Sequence, residues 1–114
     1  AENVFNNIPS WLGLAQTSQA ITADASSQVA NVTTAVTEIN ATAATGAISL
    51  ADGADGQVKT IINISTSGTN NIVVTPTNLR GGATITLNAE GETITLLFKN
   101  AKWNVIAGNG YVVA

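Results

Sequence analysis

From residue 47 onward, apolar and polar positions change places every second residue. In 93–98, Ile94, Leu96 and Phe98 point one way while Thr93 and Thr95 point the other, and Ile85 and Leu87 repeat the pattern against Thr84 and Thr86. A period of two marks a strand with one buried face. It predicts strands over 58–64, 72–75, 83–88, 93–98 and 103–107, with shorter pieces at 47–50 and 111–113. Turn chemistry separates them: Asp52-Gly53, Asp55-Gly56, Ser67-Gly68, Gly81-Gly82, Glu90-Gly91 and Gly108-Asn109-Gly110 supply residues that accept positive φ. The expected fold is mainly β, with residues 47–114 an antiparallel β-sandwich or barrel-like domain. Its expected core is Ile62, Ile64, Val74, Ile85, Leu87, Ile94, Leu96, Phe98, Trp103 and Val105.

Residues 15–46 carry a different spacing. The stretch 15–45 holds neither Gly nor Pro, and Thr22, Ala25, Val29, Val32, Val36, Ile39 and Ala43 recur at steps of three and four. That is a heptad pattern, with Gly46 placed to stop a helix. It predicts an α-helical, coiled-coil-like stem over 15–46, whose seam is Val29, Val32, Val36 and Ile39. Val and Ile at both seam positions favour three strands over two. Such a helix could not stand alone. Burying each seam side chain yields on the order of 1.5–3 kcal/mol, whereas each ordered backbone residue costs roughly 1–2 kcal/mol.

Residues 1–14 crowd Val4, Phe5, Ile8, Trp11, Leu12 and Leu14 into a short stretch interrupted by Pro9. Pro9 breaks any helix there and biases Ile8 towards extended geometry. One reading is a strap over the chain's own β domain. The other is an extended N-terminal anchor in which Phe5, Ile8, Trp11, Leu12 and Leu14 bury themselves in a partner protein, because an uncovered apolar tail is a liability in water.

Charge sharpens this picture. Only 10% of residues are charged against 45% hydrophobic, so much of the surface must be neutral Thr, Asn and Ala, or covered by neighbours. That composition is the reverse of a disordered chain's. The net charge of −3 leaves no basic stripe for phosphates, so no nucleic-acid partner is expected. No apolar run reaches the roughly 20 residues of a membrane helix. The start at Ala1, without a basic and apolar leader, suggests a protein made in the cytoplasm.

Chemistry is thin. The chain has no His and no Cys, which removes the commonest general base, the thiol nucleophile and the soft metal ligands. The seven acids fall in predicted turns or on solvent faces, so no perturbed carboxylate pair is expected. Asp52 and Asp55 could offer oxygens to Ca²⁺, but two carboxylates fall short of the coordination it needs, and a plain double turn is the simpler reading. Lys99 and Lys102 flank Asn100 in an expected hairpin loop. Arg80 is expected in a surface or intersubunit salt bridge, and Trp103 in the core. No enzymatic activity, cofactor or metal is expected.

Several short motifs occur in a telling order. They are the stretch from Asp52 to Ile61 (DGADGQVKTI), then Val74-Thr75-Pro76-Thr77-Asn78-Leu79, then Gly81-Gly82-Ala83-Thr84-Ile85-Thr86-Leu87. Thr95-Leu96-Leu97-Phe98 and the run from Lys102 to Gly110 (KWNVIAGNG) follow. Over about residues 47–114 this succession resembles a β module of tailed-bacteriophage virion proteins, found in capsid decoration (cement) proteins and in head or tail fibres. The resemblance implies a homotrimer behind a helical stem, no catalytic residues, and a place in the virion. The short chain suits a decoration protein on the capsid surface, bound to the major capsid protein. The alternative is a fibre tip that binds host glycan through loops such as 67–71 and 108–110.

Overall fold

The computed structural model describes residues 15–24, 26–67 and 70–114. Ten strands follow one another: β1 (Ser18–Ala23), β2 (Gln28–Ala30), β3 (Val36–Ala41), β4 (Thr45–Leu50), β5 (Val58–Asn63), β6 (Asn71–Pro76), β7 (Ile85–Leu87), β8 (Thr93–Lys99), β9 (Lys102–Asn109) and β10 (Val112–Val113). They form two five-stranded sheets, ordered β1-β3-β5-β8-β9 and β10-β7-β6-β4-β2. We call these sheet A and sheet B.

The path has two styles. Through β6 the chain alternates between the sheets, so β1, β3 and β5 pair in parallel in sheet A. Likewise β2, β4 and β6 pair in parallel in sheet B. This is a flattened coil of three turns, each contributing one strand to each sheet. After β6 the chain turns back on itself, and the remaining strand ladders are antiparallel, with two isolated parallel bridges, Leu79 to Trp103 and Thr93 to Gly110.

The mainly β expectation holds, but the helical stem over 15–46 does not. Those residues form β1, β2 and β3 and the start of β4, and no helix occurs among the described residues. The heptad spacing arose from short strands joined by short connections. Thr22, Val29 and Val36 are outward strand positions, Val32 lies in a connection, and Ile39 is fully buried. Thr and Val are poor helix formers and good strand formers, and with no Leu or Lys and a single Glu (Glu38) in 15–46 nothing local outweighs that preference. Gly46 stops no helix. It sits inside β4, where an added Cβ would come within 2.9 Å of the Ala23 Cβ in the facing sheet. The β fold thus begins at Ser18 rather than at residue 47, and its sheets are mixed rather than antiparallel.

The core lies between the sheets: Ile39, Ile61 and Leu96 from sheet A meet Ile48, Leu50, Ile72, Val74, Ile85 and Leu87 from sheet B. Seven of the ten expected core residues are buried, namely Val74, Ile85, Leu87, Ile94, Leu96, Phe98 and Trp103, and Val105 packs against them partly covered. Ile62 and Ile64 are the exceptions. In β5 the inward positions are Lys59, Ile61 and Asn63, one residue out of step with the expectation. A one-residue slip exchanges the two faces of a strand. With Val58, Ile62 and Ile64 on one face and a lysine on the other, hydrophobicity points to the wrong face.

Trp103 closes the end of the sandwich. Its ring stands edge-on to Phe98, with centroids 5.2 Å apart, and its Nε1 donates to Ala51 O at 2.9 Å. Gly53 makes room for it, since a Cβ there would lie 2.9 Å from the indole. The β8–β9 hairpin turns through Asn100 and Ala101, both at positive φ (53° and 61°), which is the two-residue geometry that matches strand twist.

Candidate functional site

The inward displacement of Lys59 creates the most unusual side-chain environment in the protein. Lys59 is fully buried, yet among the described residues no carboxylate pairs with it. Its Nζ donates to Thr34 O (2.9 Å), Thr34 Oγ1 (3.2 Å) and Asn31 Oδ1 (3.3 Å), all in the connection between β2 and β3. An ammonium has three N–H donors, and three acceptors meet it. Burial lowers its pKa from 10.5 to about 8. The same connection is held from another side by Gln57, whose Nε2 donates to Val32 O at 2.8 Å. This arrangement can clamp a loop.

Next to it, the Gln19 side chain joins the first turn of the coil to the second. Its Oε1 accepts from Asn31 N (2.9 Å) and Thr37 Oγ1 (2.9 Å), while its Nε2 donates to Val29 O (3.2 Å). A second buried network sits at the other end of β5. Asn63 donates to Leu87 O (3.0 Å) and accepts from Ser65 N (2.9 Å), Ser65 Oγ accepts from Ala41 N (2.8 Å), and Asn70 donates to Ala41 O. Every buried side-chain polar atom among the described residues has a partner. These networks are therefore structural joints between coil turns.

The acids serve turns. Both carboxylate oxygens of Asp52 accept from Asn78 Nδ2 (3.0 and 2.9 Å), and Asp55 pairs with Lys99 at 2.7 Å. The Ser26 side chain and amide hold exposed Asp24 below the usual carboxylate range. No group of three or more potential metal ligands occurs among the described residues. Arg80, expected in a salt bridge, instead donates to Asn104 Oδ1 (2.7 Å) and Asn100 O (3.3 Å), bracing the hairpin. Trp103 is in the core, as expected.

The outer faces are where the composition shows. On sheet B the outward residues Val29, Ala47, Val73, Thr75, Thr86 and Val112 carry no charge, and Val29 and Val112 are 61% and 51% exposed. On sheet A the strand interiors present Val36, Val58, Thr60, Ile62, Thr95 and Leu97, with Glu38 the one charge among the described residues there. Among the described residues the remaining charges, apart from buried Lys59, sit in connections and at the β8–β9 turn.

The anchor residues Phe5, Ile8, Trp11, Leu12 and Leu14 lie outside the described residues. The four seam residues are not brought together: Val29 lies outward on sheet B and Val36 outward on sheet A, with Ile39 buried between the sheets and Val32 packed against the core's rim. Sequence reasoning missed Lys59 altogether. Its only signal was a lysine at an inward position of a strand whose other face is also apolar.

No family model matches the sequence, and no curated protein is significantly similar to it.

Proposed function

We propose that the chain is a structural protein of a tailed-phage virion, a capsid decoration protein whose copies associate with one another and with the major capsid protein. The observation that carries this reading is the distribution of charge. Two flat sheet faces are almost uncharged, and the charged side chains are gathered at the connections, so the broad surfaces suit contact with protein rather than catalysis or phosphate binding. The ordered motifs in 52–110 support the same assignment by resemblance. Within it, Phe5, Ile8, Trp11, Leu12 and Leu14 form the anchor that grips the shell, and several subunits engaging together raise the avidity. Because residues 15–46 form strands rather than a helical seam, this reading assigns the contacts between copies to the β domain. Counting copies in purified particles tests the reading. A decoration protein is present in hundreds of copies per virion; a few to a few dozen would make it a fibre component instead.

A further inference from the structure

The sandwich has four edge strands, and three of them are blunted. On β9, Arg80 N donates to Trp103 O and Trp103 N donates to Asn78 O, both at 2.9 Å, so residues 78–80 cover its edge at Trp103, and a register shift interrupts the ladder further on, where it pairs with Thr95 and Leu96. The β10 edge is two residues long. On β2, the Gln19 carboxamide takes Val29 O and Asn31 N, the pair of groups that the N–H and C=O of one residue in a neighbouring parallel strand would take. Such devices keep edges from pairing with other chains.

The edge of β1 has none of them. Thr17 O accepts from Val36 N and Ala23 O accepts from Thr42 N, so the odd-numbered residues direct their backbone groups to β3. The backbone groups of Ser18, Ala20 and Thr22 point the other way, and among the described residues none has a hydrogen-bond partner. The strand carries no charge, no proline and no bulge, and its outward side chains are small.

We infer that β1 pairs antiparallel with β1 of a second copy across a two-fold axis at Ala20, joining two A sheets into one. Self-complementarity favours this occupant. With Ala20 opposite Ala20 and Ser18 opposite Thr22, each of the three edge-facing residues exchanges both its N–H and its C=O with its partner, whereas a shift by two residues leaves one of them unpaired. Ser18 and Thr22 then meet as a hydroxyl pair, a favourable cross-strand combination. Asp24 falls opposite Gln16, so the acid at the end of each strand never meets its own copy. The contact is one strand long, well under the roughly 800 Å² per partner of a standard interface, so association belongs in the weak class that a crowded surface would reinforce. The inference stands whether or not the chain is a virion protein.

The test uses the full chain. Sedimentation equilibrium from micromolar to high micromolar concentration should show a monomer–dimer equilibrium. Ala20→Pro removes an edge-facing N–H without touching the β1–β3 bonds, and should leave a folded monomer by circular dichroism. Because the chain lacks cysteine, Ala20→Cys adds a single thiol, and a Cα separation of about 5.5 Å should let oxidation trap a dimer. A wild type that stays monomeric throughout, an oligomer unmoved by Ala20→Pro, or failure of Ala20→Cys to cross-link would each overturn the inference. So would slow hydrogen exchange at Ala20 in the dilute monomer, which would mean that residues 1–14 of the same chain cover the edge.

Discussion

The coil of β1–β6 and the antiparallel part, β7–β10, share a core but hold together differently. In the coil, a strand's partner lies one full turn away: Ser18 pairs with Val36, and Ile48 with Val74. What locks successive turns is polar: Gln19 to Asn31 and Thr37, Lys59 to Thr34, and Ser65 and Asn70 to Ala41. On the antiparallel side, β6 pairs with β7 and β8 with β9, each with its neighbour in sequence, a two-residue turn sets the β8–β9 register, and an aromatic pair fills the end. Parallel turns need connections that cross from sheet to sheet, and those bring backbone groups inside that only buried polar side chains can satisfy. Hairpins keep their turns in water and need no such joints.

Breaking the apolar end should hurt most. Trp103→Ala removes the indole that touches Gly53 and Phe98 and strands Ala51 O, and should cost about 3–5 kcal/mol in urea unfolding. A cost under about 1 kcal/mol would mean the ring is not packed there.

The coil's polar joint is read by pH. The amine of Lys59 has its folded pKa lowered to about 8 from 10.5, so between those values the unfolded state holds more protons than the folded one. Stability should therefore rise with pH across that window, by about 1–3 kcal/mol, and the slope should vanish in Lys59→Met. Unfolding midpoints measured at closely spaced pH values in both proteins check the sign. A wild-type stability that fell across that range would show that the ammonium is better held when folded than when unfolded.

A smaller effect sharpens the hairpin side. Ala101 sits at φ 61°, which an L side chain tolerates poorly, so Ala101→Gly should stabilise by about 0.5–1 kcal/mol in thermal or urea melts. The smallest effect separates strand from helix. Val29→Asp places a carboxylate on a position 61% exposed, and should change stability by no more than about 0.5 kcal/mol. In a coiled-coil seam the same change would abolish assembly.

The same contrast explains what the sequence reveals. The strands of the antiparallel part were legible because each has one wet face: Thr93 and Thr95 against Ile94 and Leu96 leave no doubt about register. The coil hides its pattern. Its strands are as short as the three residues of β2, so period two barely has room to appear, and a spacing of three or four emerges from strand plus connection. In β5 both faces are apolar, and the choice between Ile62 and Ile61 is decided by where Lys59 and Asn63 find acceptors in other turns of the chain. Those acceptors are main-chain oxygens and hydroxyls supplied by residues tens of positions away, which no local window contains. The unprotected β1 edge is equally invisible in sequence, since it depends on which direction each amide faces.

The coil's wiring also sets an order of events. The β8–β9 hairpin closes across two residues, an event on the scale of about 1–10 μs. Each coil strand must wait for a partner that leaves the ribosome a full turn later, and sheet A is not continuous until β5 meets β8, with Thr60 opposite Thr95. During synthesis the N-terminal strands are thus the oldest part of the chain and among the last to be secured. Pairings that span many residues fold slowly and keep strand edges exposed meanwhile. Gln19 shortens that exposure for β2, because its side chain is made before the backbone it protects and can seal Val29 and Asn31 as soon as the first turn has formed.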